Sequence, residues 1–191
     1  QDFDKSTALQ LVAKNTEAIG LSDKDLNNSI VSSAYFNKTS GTVLVYLQQT
    51  YKGLPVFNQI QTLAFKNGKI VSHAGARISS IEKLTGNTNA MPSIAADTAV
   101  RTVMTTKKIN SSQSLVTISN NAGKKVDFAK QPGVTSENIT AELMWTPINE
   151  GKEVKLTWQV YLVPSTTTDY WLVRVDASNN KVIDESNLTV Y

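Results

Sequence analysis

The chain has no cysteine, which excludes disulfides, thiolate nucleophiles and cysteine-ligated metals. Its single histidine, His73, cannot supply the two-histidine helix of a zinc peptidase. A serine–histidine–acid set would also have to use His73, and no Gly-x-Ser-x-Gly elbow precedes it. The nine glycines are dispersed, so no phosphate-cradling loop is present. Arginine is restricted to Arg77, Arg101 and Arg174, and the lysines are scattered singly or in the pairs Lys107-Lys108 and Lys124-Lys125. A net charge of +3 spread in this way lacks the clustered basic stripe of a nucleic-acid surface, and no nucleic-acid partner is expected. No apolar run approaches the ~18–20 residues of a membrane span. Gln1-Asp2-Phe3-Asp4 is polar, so no leader is visible.

What is present suits an ordinary folded protein. Hydrophobic residues make up 40% of the 191, enough for real cores, and charged residues make up 18%. Serine, threonine and asparagine are abundant, which leans toward a secreted or cell-surface chain whose leader has been removed. Asn37-Lys38-Thr39, Asn110-Ser111-Ser112, Asn138-Ile139-Thr140 and Asn187-Leu188-Thr189 fit the glycosylation sequon but read as chance matches in such a composition.

Ala8, Leu11, Val12 and Ile19 recur at helical spacing and predict a helix from Ser6, as cap, to Ile19, stopped by Gly20. The period then changes to two. Strands are predicted at residues 30–36, 42–51, 59–66 and 69–74, with Asn67-Gly68 as a tight hairpin turn. A Thr/Asn/Gly-rich stretch at residues 84–92 predicts a domain boundary. A second helix follows, capped at Pro92-Ser93, with Ala96, Ala99, Val100 and Val103 on one face. Residues 106–140 are the least legible, with a strand predicted at 115–118 and turns at 120–123 and 132–133. Strands are predicted again at 141–146, 155–163, 170–175 and 181–184. The expected fold class is α+β: two small domains, each a helix packed on an antiparallel sheet.

The search for chemistry returns little. His73 sits in a predicted strand and reads as structural. Glu150 with Glu153, and Asp184 with Glu185, are carboxylate pairs of the kind glycosidases use, but both lie at loops or strand ends and read as solvated surface. Trp145, Trp158 and Trp171 fall on successive predicted strands. They allow either a sugar-binding platform or core packing, and their apolar neighbours favour core. A closed zinc site would need an all-carboxylate ligand set, so neither catalytic activity nor a metal or other cofactor is expected in this chain.

Two stretches carry a resemblance. Residues 45–57, Val-Tyr-Leu-Gln-Gln-Thr-Tyr-Lys-Gly-Leu-Pro-Val-Phe, resemble the signature of the fungalysin/thermolysin propeptide domain, in which a Gln-Gln-x-Tyr strand runs into a Gly-x-Pro-Val-aromatic turn. The hairpin at Asn67-Gly68-Lys69-Ile70-Val71 matches as well. Tyr46 departs from that family, where the position two residues before the glutamine pair is often basic. Ser93–Val100, Glu142–Pro147, Leu156–Val160, Trp171–Ala177 and Lys181–Ile183 resemble the PepSY domain that accompanies it. The resemblance implies a cystatin-like or PepSY-like fold in each half. It implies a fungalysin/thermolysin propeptide-like domain at 1–84, a linker at 85–92, and a PepSY-like domain at 93–191 with an insertion at 106–140.

The implied function is that of the non-catalytic propeptide of a secreted zinc metallopeptidase, an intramolecular chaperone and inhibitor of the downstream peptidase domain, which is the expected partner. The catalytic domain of such precursors does not follow Tyr191 here, so the chain is expected to be a fragment of a larger precursor. The alternative is a stand-alone secreted binding or inhibitor module of the cell surface. The candidate contact with the peptidase is the turn of Lys52, Gly53, Leu54, Pro55, Val56 and Phe57, since turns on rigid sheets are common recognition elements.

Overall fold

A computed structural model describes residues 1–86 and 89–190. The chain is α+β, with more strand than helix, and divides into two compact units, Gln1–Ile81 and Glu82–Tyr191. Residues 87 and 88 of the predicted linker lie outside the described residues, as does Tyr191.

The first unit opens with three short helices rather than the one predicted: α1 (Lys5–Ala13), α2 (Thr16–Ile19) and α3 (Asp23–Asn27). Asp4, not Ser6, caps α1, its Oδ2 accepting from the Thr7 backbone N–H at 2.8 Å. The break after α1 is made by Asn15. Its Nδ2 donates to the carbonyls of Leu11 at 2.8 Å and Gly68 at 3.0 Å, and its Oδ1 accepts from Ile70 N–H at 3.0 Å. One asparagine thus leaves the helix to stitch it to a hairpin turn, a common use of a residue that competes for backbone partners. Gly20, at φ 86, ends α2 as predicted. Helix α3, which periodicity missed, is set by a reciprocal capping box between Ser22 and Asp25.

Four antiparallel strands follow in sequential order: β1 (Ser29–Asn37), β2 (Thr42–Tyr51), β3 (Leu54–Lys66) and β4 (Lys69–Gly75). Ala8 and Val12 of α1 are buried together with Val31, Val45, Leu47, Leu63 and Phe65, which share the helix-facing side of the sheet. Residues 1–3 pair along the outer edge of β1, through Phe3 N–H to Ala34 O at 3.0 Å and Phe36 N–H to Gln1 O at 2.8 Å. Asn67 and Gly68 both take positive φ, 51° and 75°, as a two-residue hairpin requires.

The second unit has one long helix, α4 (Ala96–Thr106), against a six-stranded antiparallel meander: β5 (Thr117–Asn121), β6 (Lys125–Phe128), β7 (Ile139–Ile148), β8 (Glu153–Leu162), β9 (Trp171–Asp176) and β10 (Val182–Asn187). Ala99, Val100, Val103 and Met104 are the buried face of α4, which packs on β7, β8 and β9. The expected Pro92-Ser93 cap is absent: the N-cap is Ala95, which has no side chain to offer. The approach to the helix is held instead by Ser93 and Ile94 N–H, which donate to the Ala177 carbonyl at 2.9 and 3.0 Å.

Residues 106–140 contain the β5–β6 hairpin: β5 starts two residues later than the strand predicted at 115–118, and β6 lies where no strand is predicted. Its turn is Ala122-Gly123, with φ of 51° and 72°, and Gly123 N–H donates to Asn120 Oδ1 at 2.8 Å. Behind it, buried Gln131 accepts from Ser111 Oγ at 2.7 Å and donates to the carbonyls of Gln113 at 3.2 Å and Ser114 at 3.4 Å. This stretch is ordered by a polar hub, which hydrophobic periodicity cannot reveal. No helix among the described residues is long and apolar enough to cross a membrane.

Candidate functional site

The candidate turn joins β2 to β3. Lys52 and Gly53 form its tip at φ 47° and 75°, a conformation that glycine adopts freely and lysine rarely. Both are exposed. The Lys52 Nζ lies over the Tyr51 ring, 5.4 Å from its centroid. Leu54 and Val56 are buried, 2% and 0% exposed, whereas Pro55 and Phe57 are half-buried. Of the six candidate residues, the surface a partner can touch is therefore carried by Lys52, Gly53, Pro55 and Phe57. Leu54 and Val56 act by fixing the hairpin.

The two glutamines before the turn have distinct structural work. Pairing between β2 and β3 runs Tyr51↔Leu54 and Thr50↔Pro55, then jumps to Gln48↔Ile60. Residues 56–59 therefore leave the ladder, with Asn58 at φ 62°. Carbonyls released by this bulge need donors. Gln48 Nε2 supplies them, reaching Val56 O at 2.8 Å, Gln59 O at 3.3 Å and Gln49 O at 2.7 Å.

Gln49, 4% exposed, faces the other way. Its Nε2 donates to Ile78 O at 2.9 Å and its Oε1 accepts from Ile78 N–H at 2.8 Å. The amide thus mimics a neighbouring strand and pins the chain just after β4. Next to it, Arg77 donates to the carbonyls of Asp25 at 2.9 Å and Asn28 at 3.3 Å, and to Ser29 Oγ. Burial lowers the Arg77 pKa, and the charge of nearby Asp25 opposes that shift. Gly75, at φ 100°, lets β4 pass beside the Ile60 carbonyl. The run from Gln48 to Arg77 is thus a rigid frame that presents one short tip.

The other candidates are dispersed. His73 is exposed on β4, where it pairs with Leu63 of β3. Asp184 and Glu185 are successive strand residues and so point to opposite faces. Asp184 accepts from Arg174 Nε, while Glu185 pairs with Lys107 Nζ at 2.6 Å. Glu153 accepts from Asn149 Nδ2 at 2.6 Å, and Glu150 lies in the turn between at φ 58°.

Trp145 and Trp158 are buried, and the Trp158 indole N–H donates to Ile94 O at 2.8 Å. The Lys107 Nζ covers the Trp171 ring, 3.3 Å from its centroid. The three rings therefore form no open platform for sugars. Among the described residues there is no group of three or more His, Cys, Asp or Glu able to hold a metal ion.

Comparison with known proteins places one motif on this frame. Residues 29–76 match the Fungalysin/Thermolysin Propeptide Motif, which spans β1 to β4 and includes both glutamines, the tip and Gly75. A propeptide motif points to a non-catalytic region. No curated protein matches the chain. Among solved structures, the Bacillus megaterium YpeB C-terminal domain aligns with 100% of this chain and 67% of its own, at 10% identity and a TM-score of 0.43.

Proposed function

We propose that this chain is the propeptide region of a secreted fungalysin/thermolysin-type zinc metallopeptidase, and that it assists folding of the peptidase domain and inhibits it until cleaved. The observation that carries this reading is the propeptide motif over residues 29–76, which covers the hairpin frame built by Gln48, Gln49 and Gly75. The second unit, with its helix followed by an antiparallel meander, would be the PepSY-like companion. Zinc and the hydrolytic groups would belong to the peptidase domain, and this chain would contribute no catalytic group or cofactor.

The mechanism is one of differential affinity. A surface complementary to the native peptidase, but not to its unfolded chain, stabilises the native state by mass action, and the same contact excludes substrate. We place that contact at the exposed tip of Lys52 and Gly53 with the flanks of Pro55 and Phe57. Lys52→Asn tests this directly, because asparagine tolerates the positive φ while the charge is removed. The variant is expected to inhibit the mature peptidase less well and to aid its refolding less, with the melting temperature lowered by no more than loss of the contact with the Tyr51 ring requires. Unchanged inhibition would move the contact elsewhere. Absence of inhibition and of refolding assistance by the intact chain would leave a stand-alone binding module.

A further inference from the structure

Asp176 ends β9 and is 5% exposed. Its Oδ1 accepts from Ser178 N–H at 2.8 Å and from Ser178 Oγ at 2.6 Å. Its Oδ2 meets no donor and no cation among the described residues. That oxygen is not sealed away, since the side-chain polar atoms buried without a partner among the described residues are Arg77 Nε and Asn180 Oδ1. Bonds to Ser178 account for Oδ1 alone. An asparagine would hold the same turn through the same oxygen, so the turn does not explain the charge. Open to its surroundings and without a donor among the described residues, Oδ2 can take a cationic partner directly.

Asp176 also lines a cavity of about 260 Å³ whose residues all belong to the second unit. Leu84, Val154 and Leu156 give it apolar wall, and Glu153 adds a second negative charge. Lys155 lines it too but forms no ion pair with Asp176. The volume falls below the ~300–1,000 Å³ of sites that enclose a whole small molecule. Apolar wall beside an uncompensated carboxylate matches a side chain with an aliphatic stem and a cationic head. Glu153 at the lining disfavours the α-carboxylate of a free amino acid.

We propose that this cavity receives one arginine or lysine side chain of a protein partner, with Asp176 as its counter-charge. The site is independent of the hairpin tip, and its test uses no peptidase, so its failure leaves the propeptide reading untouched. The probes are Nα-acetyl-arginine amide and Nα-acetyl-lysine amide, titrated into the ¹⁵N-labelled full chain. Saturable shifts of the Ser93, Ala177 and Ser178 amides are expected. The uncharged citrulline analogue should produce none. Asp176→Asn, which keeps the acceptor for Ser178, should lose at least about tenfold in affinity, whereas Ser178→Ala should still bind.

Equal shifts with citrulline, or unchanged affinity in Asp176→Asn, would overturn the proposal. Tighter binding of free arginine than of its capped form would assign the cavity to a free amino acid instead. Saturable binding of calcium alone at the same amides would make the turn a metal site. Either of these last results also overturns the side-chain reading.

Discussion

Alanine at position 75 would bring a methyl group to 2.2 Å from the Ile60 carbonyl oxygen and 2.9 Å from Gln61 Cα. Both are backbone atoms, so no rotamer change relieves the contact, and β3 or β4 must move. The residue also sits at φ 100°, where a side chain is strained whatever the space. Strain of this kind costs about 1–3 kcal/mol, and forcing packed backbone apart adds about 1–3 kcal/mol more. The sum, about 2–6 kcal/mol, is a large share of the ~5–15 kcal/mol that holds a domain folded.

Gly68 is the internal control. It has φ 75°, but a Cβ there meets nothing within 4 Å, so Gly68→Ala should cost only the conformational part, about 1–2 kcal/mol. Urea unfolding, read by hydrogen exchange of β3 and β4 amides, measures both variants. Gly75→Ala must be clearly the worse. Equal losses would show that β4 does not approach β3 as described, and would undo the account of the frame.

Gln49→Glu keeps the acceptor for Ile78 N–H and loses the donor to Ile78 O. The Ile78 amide should stay protected from exchange in that variant and lose protection in Gln49→Ala, at a cost of about 1–3 kcal/mol for each buried group left unpaired. Trp158→Ala should destabilise the second unit by about 3–5 kcal/mol, and Trp158→Phe, which mainly orphans the Ile94 carbonyl, by about 1–3 kcal/mol, both read by thermal melts. Burial, then the hydrogen bond to Glu137, pushes the Tyr161 pKa up to about 12. The unfolded value is about 10, so this stabilisation is complete below about pH 10 and is lost as pH rises toward 12. A phenolate absorbance titration should show a late component near pH 12 that Tyr161→Phe removes; ionisation of every tyrosine near pH 10 would contradict the half-buried, hydrogen-bonded phenol.

Strands with clean alternation were legible from sequence. Thr42–Tyr51 falls where Val43, Val45 and Leu47 predict it, and Asn67-Gly68 makes the turn its residue types demand. Two of the misses share a cause: a polar side chain spent on backbone partners distant in sequence. Asn15 breaks a helix whose apolar spacing continues to Ile19, because its amide is committed to Gly68 and Ile70. Gln131 organises residues that show no period, through Ser111, Gln113 and Ser114. Helix α3 did leave a local signal, the Ser22-x-x-Asp25 spacing, which a search for apolar faces passes over.

At the candidate tip, sequence located the turn but not its two faces. Alternation from Leu54 to Phe57 does not say that Leu54 and Val56 are the buried pair, and the bulge at 56–59 that needs Gln48 has no composition of its own. Asp176 reads in sequence as an ordinary turn residue. Only burial together with an unmet oxygen marks it out.

The propeptide account stands most directly on inhibition in trans. The intact chain, titrated into the mature peptidase that its motif implies, should inhibit saturably at one chain per enzyme, compete with substrate, and lose its effect when the chain is cleaved. Full peptidase activity at saturating chain concentration would contradict the account.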